Sequence, residues 1–137
     1  MHFPENLKYT SEHEWINITG EQTSDGRPIA VVGITDFAQS ELGELVYIEV
    51  DTVGETLAKD AIFGTVEAVK TTSDLFMPLS GEVLEFNQAI SESGGDNPGL
   101  INNDPYDAGW IIKIALTDTS EIEMLLGSLA YRELVGA

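Results

Sequence analysis

From Glu14 to Leu116 the sequence is a series of short runs rich in β-branched and aromatic residues, each closed by glycine, proline, asparagine or aspartate. Side chains alternate faces along a strand, and turn residues between such runs bring antiparallel neighbours together. This punctuation therefore predicts a mainly β chain. The clearest run is "WIIKIAL" (Trp110–Leu116), where Trp110, Ile112, Ile114 and Leu116 share one face and Lys113 takes the other. "EWINIT" (Glu14–Thr19) leads through "GEQTSDGRP" into "IAVVGI" (Ile29–Ile34), a predicted hairpin. "LVYIEV" (Leu45–Val50), "AIFGTVEAV" (Ala61–Val69) and "GEVLEFN" (Gly81–Asn87) read as further strands, with "VGETL" as a turn. Gly-Glu precedes apolar β-formers at both Gly43 and Gly81. That echo fits two quasi-equivalent halves folded as a flattened barrel or sandwich.

Two segments carry helical signals. "TDFAQSELG" predicts a short internal helix, with Thr35 as N-cap and Gly43 ending it. Over "DTSEIEMLLGSLAYRELV" the pattern suggests a C-terminal helical segment, 118–135: Asp118 and Glu121 have capping-box spacing, and Ile122, Leu125, Leu126 and Leu129 recur at helical intervals. Between strands and tail, Ser91–Gly109 is so rich in Gly, Pro, Asn and Asp that it reads as mostly loop, long enough to suggest a functional or docking role. At 137 residues the expectation is one domain, 1–137. Trp15 and Trp110 are expected in its core.

The charge narrows the partners. Six basic against 24 acidic side chains give −18, a field that repels nucleic acids and anionic membranes. The excess serves solubility, a salt-adapted habitat, or fast docking onto basic protein surfaces, with Glu41, Glu44 and Glu49 as candidates for an acidic docking face. There is no cysteine, hence no thiol nucleophile, disulfide or thiolate metal site. His2 and His13 are the only imidazoles, with no spacing for a metal site or triad; His13 reads as structural. "SGGDNPG" lacks the basic residue and strand-to-helix context of a phosphate loop. The N-terminal "MHFPENLKYTSEHEW" has neither a secretory nor a transit pattern, and no apolar run approaches the ~20 residues of a membrane span. A bacterial cytoplasm is the expected compartment, and a monomer the expected state.

One of only four lysines, Lys70, falls between a strand ending at Val69 and the turn-forming residues Thr71, Thr72, Ser73 and Asp74. It is therefore expected at an exposed hairpin tip between two strands, the second being Gly81–Asn87. Gly54 stands 16 residues before it and Gly81 stands 11 after, where glycine permits tight turns. An amine attacks an activated acyl group only when unprotonated, and free lysine has a pKa of roughly 10.4. A modifying enzyme must then choose such a residue by geometry and deprotonate it itself.

A tip lysine between these glycines resembles the biotinyl/lipoyl carrier domains, whose flattened barrel-sandwich of two antiparallel sheets is then the expected fold. "FGTVEAVKTTSDLFMPLSGEVLEFN" is similar, within that group, to the H proteins of the glycine cleavage system. "LKYTSEHEW", "VGITDFAQSELGELVYIEV", "NDPYDAGWIIKI" and a closing "YRELV" follow in the family's order from about Leu7 to Leu134. Biotin carriers flank the lysine with methionine, and lipoyl domains of 2-oxo acid dehydrogenases place Asp before it; Val69 and Thr71 depart from both. The resemblance implies lipoic acid bound covalently at Lys70 and a carrier that is not itself an enzyme. Its aminomethyl cargo would come from a pyridoxal-phosphate glycine decarboxylase and pass to a tetrahydrofolate-dependent aminomethyltransferase. Dihydrolipoamide dehydrogenase would reoxidise the arm, and a lipoate-attaching enzyme would install it. A cargo amine, protonated near neutral pH, calls for a cleft with carboxylates: Glu14 and Asp74 fit the family pattern best, with Glu12 as a third candidate. Two other readings stay open, a relay in lipoate assembly and an unmodified lipoyl-fold interaction module.

Overall fold

The computed structural model describes residues 1–136 of the chain. Its elements run in the order β1 (Lys8–Tyr9), β2 (Glu14–Gln22), β3 (Pro28–Ile34), α1 (Asp36–Leu42), β4 (Leu45–Glu49) and β5 (Thr56–Leu57). There follow β6 (Ile62–Ala68), β7 (Thr72–Phe76), β8 (Gly81–Phe86), α2 (Gly99–Asn103), β9 (Ile112–Leu116), a 3₁₀ segment (Thr119–Met124) and α3 (Ser128–Val135). The strands form two antiparallel sheets, one ordered β1-β2-β3-β9-β8-β5 and the other β4-β6-β7. The expected two-sheet architecture is present, as an open sandwich rather than a closed barrel.

Alternating residues of the two sheets meet in a common core. Ile16, Val32 and Ile114 come from the large sheet, and Ile48, Val66 and Leu75 from the small one, all nearly inaccessible to solvent. A second cluster of Phe3, Leu7, Tyr9, Trp15 and Tyr131 ties the N-terminal segment to α3. Trp15 lies opposite Gly33 in the β2–β3 ladder, where a Cβ would stand 2.6 Å from the indole. The indole N–H donates to the Pro105 carbonyl at 2.9 Å. Trp110 is only half-buried, against this cluster, and Lys113 stacks over its ring at 5.1 Å. Thr35 caps α1 by accepting from the Ala38 amide, and Gly43 ends it at φ 79°, as expected from the sequence.

Three readings of the sequence are corrected. The second strand of the lysine hairpin is β7, and not Gly81–Asn87: Thr65 pairs with Asp74 and Glu67 with Thr72. Thr72, Ser73 and Asp74 carry turn chemistry, yet they extend because β7 is an edge strand, where polar residues face solvent and discourage further pairing. Gly81 is likewise no turn residue; it opens β8, where a Cβ would stand 2.5 Å from the Ala115 carbonyl oxygen. Gly54 does take a left-handed turn, at φ 93°, and the end of "VGETL" pairs with β8 as β5.

The third correction concerns the C-terminal segment, which is not one continuous helix. Glu121 turns away from Asp118 and accepts from the backbone N–H and hydroxyl of Ser80 at 2.7 and 2.8 Å, so the capping box does not close. Leu126 instead exchanges backbone hydrogen bonds with Tyr9, which breaks the helical path before α3. Leu129, read as part of an apolar helix face, is exposed. Among the described residues no helix is long and apolar enough to cross a membrane.

Candidate functional site

Val69 and Lys70 form the two-residue tip of the β6–β7 hairpin, which is closed by the Ala68 amide donating to the Thr71 carbonyl at 2.7 Å. Two-residue hairpin loops favour turns with positive φ, which a β-branched residue resists. Neither tip residue adopts positive φ. The turn is held from outside instead: the Val69 amide donates to the Glu44 carbonyl at 3.0 Å. Lys70 is exposed, and its stem crosses the end of α1, so that a Cβ on Gly43 would stand 3.5 Å from Lys70 Cε. The other cations largely have partners, Arg27 with Asp25 and Glu82, Lys59 with Asp60, Lys113 with Glu85 and Arg132 over Phe3. Among the described residues Lys70 makes no salt bridge.

The same hairpin supplies one wall of a cleft of about 280 Å³, through Val66, Ser73, Asp74 and Leu75. The opposite wall is α1, through Phe37, Ala38, Glu41 and Leu42, and the floor comes from the "EHE" stretch Glu12–Glu14. Glu12, Glu14 and Asp74 thus share one cavity, though they play different parts. Glu12 and Asp74 are exposed at its rim. Glu14 is buried, and its carboxylate accepts from the Thr10 hydroxyl at 2.7 Å. Burial pushes the Glu14 carboxyl up to about 7, and the nearby Glu12 charge adds to this, against the Thr10 hydrogen bond, which lowers it. A buried acid in this state ionises readily when a cation arrives.

His13 takes a left-handed backbone conformation, φ 72°, which turns the chain so that its neighbours reach the cleft. Its Nδ1 lies 2.8 Å from the Tyr131 hydroxyl, which is also 2.7 Å from the Thr35 hydroxyl that caps α1. Burial lowers the His13 pKa, against the raising influence of Glu12 and Glu41. The His13 ring and the Tyr131 and Thr35 hydroxyls form one hydrogen-bonded chain from the cleft floor to the cap of α1. His13 is thus structural, as the sequence suggested, and it braces the cleft. Neither Tyr131 nor Glu41 is expected at the cleft from the sequence: Tyr131 comes from 118 positions away, and Glu41 reads as a candidate for an acidic docking face. Among the described residues no group of three or more His, Asp or Glu side chains is placed to hold a metal ion.

Two open antiparallel sheets with these few helices make a lipoyl-type carrier domain. A model of the family described as glycine cleavage H-protein matches residues 7–137. The glycine cleavage system H protein of Bacteroides thetaiotaomicron is 53% identical over 135 residues, 98% of each chain. That of Chlorobaculum parvum is 48% identical over 136 residues, 99% of each. The crystal structure of a glycine cleavage system H protein from Mycobacterium marinum superposes with a TM-score of 0.83 at 40% identity, covering 98% of this chain and 100% of that one. The chain belongs to the glycine cleavage H-protein family.

Proposed function

We propose that this chain is the lipoyl-bearing carrier of a glycine cleavage system, with lipoic acid amide-linked to Lys70. The observation that carries this reading is the exposed lysine, without a salt bridge among the described residues, on a tight hairpin tip whose own strands wall a carboxylate-bearing cleft. The family membership supports it over a lipoate-assembly relay and over an unmodified interaction module. When bound, lipoic acid supplies a dithiolane that takes up the aminomethyl group and is later reoxidised from the dithiol.

The chain's own residues do the rest. Lys70 offers an accessible amine to a lipoate-attaching enzyme and loses its charge on acylation. The cleft offers the cargo an apolar lining, from Ile34, Phe37, Leu42 and Leu75, that excludes water, and acids that hold an ammonium group. Glu14 sits deepest; facing a cation it gives up its proton and stays ionised as the counter-charge. Asp74 and Glu12 extend the negative field at the rim. None of these groups is arranged as a nucleophile with its base, so bond making and breaking falls to the partner enzymes: glycine decarboxylase, aminomethyltransferase and dihydrolipoamide dehydrogenase.

The test is exchange of labelled bicarbonate into glycine by a glycine decarboxylase supplied with this chain after lipoylation. Exchange is expected with the wild-type protein and absent with Lys70→Arg, which keeps the charge but is not acylated. Exchange sustained by Lys70→Arg would overturn the reading.

A further inference from the structure

We infer that Asn102 positions the lysine-bearing hairpin for acylation, a role that rests on the reading of Lys70 as the lipoyl attachment point. The long segment Ser91–Gly109 folds back so that α2 lies against the corner between α1 and β4. There the Asn102 side chain makes three hydrogen bonds, with both ends of its carboxamide engaged at one bend. Its carbonyl oxygen accepts from the Leu45 amide at 3.1 Å. Its amide nitrogen donates to the Gly43 carbonyl at 2.9 Å and to Gln39 Oε1 at 3.0 Å.

The bend so held is the one that supports Lys70. Residue 44 lies between the two backbone groups that Asn102 clamps, and the Glu44 carbonyl receives the Val69 amide at 3.0 Å. Leu45 faces Ala68 at the end of the β4–β6 ladder, next to an irregularity between Leu45 and Tyr47 that leaves Val46 unpaired. Gly43 lies under the lysine stem. The turn's own backbone does not favour its shape, because Val69 and Lys70 both lack the positive φ preferred in two-residue hairpins. Its geometry therefore depends on the Glu44 tie, and that tie depends on a carboxamide 57 residues beyond Leu45. A ligase that selects one lysine by position meets a fixed target only while this chain of contacts holds.

A carboxamide is the chemistry the position demands, because one end must accept and the other must donate twice. Asn102→Asp keeps the bond from the Leu45 amide but sets a carboxylate against the Gly43 carbonyl. Asn102→Ser is a milder change whose single hydroxyl cannot span both backbone groups. Ile101→Val, in the same helix and fully buried, lowers stability without touching the ties and serves as the control.

The experiment measures kcat/KM for lipoylation by a lipoate–protein ligase, with hydrogen exchange at the Val69 amide followed in parallel. Asn102→Asp is expected to lose about tenfold or more in kcat/KM and to exchange the Val69 amide faster, with Asn102→Ser in between. Ile101→Val, at a comparable loss of Tm, should acylate within about twofold of wild type. Asparagine variants that acylate like the control, with Val69 protection intact, overturn the positioning role and leave the carrier reading standing. A wild-type chain that gains no lipoyl group at Lys70 overturns both; the exchange data would still report whether Asn102 holds the turn.

Discussion

Glu14 is the residue whose chemistry departs furthest from its ordinary behaviour. Its folded pKa of about 7 lies above the usual 4.5 because the carboxyl is buried, so folding takes up a proton between those values. A raised pKa means that its favourable contribution is complete below about 4.5 and is lost as pH rises through 7. Above pH 7 the charged group then costs about 3 kcal/mol. His13 works in the opposite sense: its lowered pKa gives a contribution complete above the ordinary 6.5 and lost as pH falls toward the folded value. Glu14→Gln removes the first effect alone. Thermal melts should show the variant gaining on wild type from pH 5 to about 7 and levelling off above it, and parallel curves would mean that the acid is not held as the structure places it. The same variant should shorten the lifetime of the aminomethyl-loaded carrier, and an unchanged lifetime removes Glu14 from the cargo site.

Among the elements, α1 and the β6–β7 hairpin make the two walls, and α3 braces the first of them through one hydroxyl. Tyr131→Phe deletes the bridge between His13 and Thr35 without creating a cavity. Losing a buried hydrogen bond whose partners stay in place costs about 1–3 kcal/mol, and the urea midpoint should fall accordingly with the m-value unchanged. An unaltered midpoint would mean that α3 contributes nothing to the wall. Much of this scale was legible in the residues. Thr35 and Gly43 bound α1 by local chemistry, and strands with clean alternation, such as β9, declare themselves. The hairpin partner of β6 did not, because "TSDLF" has the composition of a turn and becomes a strand only through pairing along an edge. The tail failed for a similar reason: Glu121 has an equally good local partner in the capping pattern, and a distant serine wins it. Lys70, Glu14, Asp74 and Glu12 were all named from the sequence. That one cleft unites the three acids, that Glu14 is its buried member, and that Asn102 and Tyr131 steady its walls depend on contacts between residues far apart in the chain.

Across the whole molecule the scarce positive charge is unevenly placed. Lys8 and Lys113 lie on the large sheet, and Arg27 lies in the loop that joins its β2 and β3. The small sheet and its hairpin hold only Lys70, beside the exposed acids Glu49, Glu67 and Asp74. Acylation of that lysine leaves the face wholly acidic, suited to basic partner surfaces and to encounter rates that salt suppresses. Raising salt from about 0.1 M to about 1 M shortens the Debye length from about 10 Å to about 3 Å. The kcat/KM for this chain as substrate of its decarboxylase should fall about tenfold or more over that range; a flat response would leave the acidity to solvation alone. The carrier reading rests on a single acylated amine. The most direct measurement is the intact mass of the chain after coexpression with a lipoate–protein ligase, beside Lys70→Ala prepared in the same way. One lipoyl increment on the wild type and none on the variant is the predicted result. No increment on either, or the same increment on both, would contradict it.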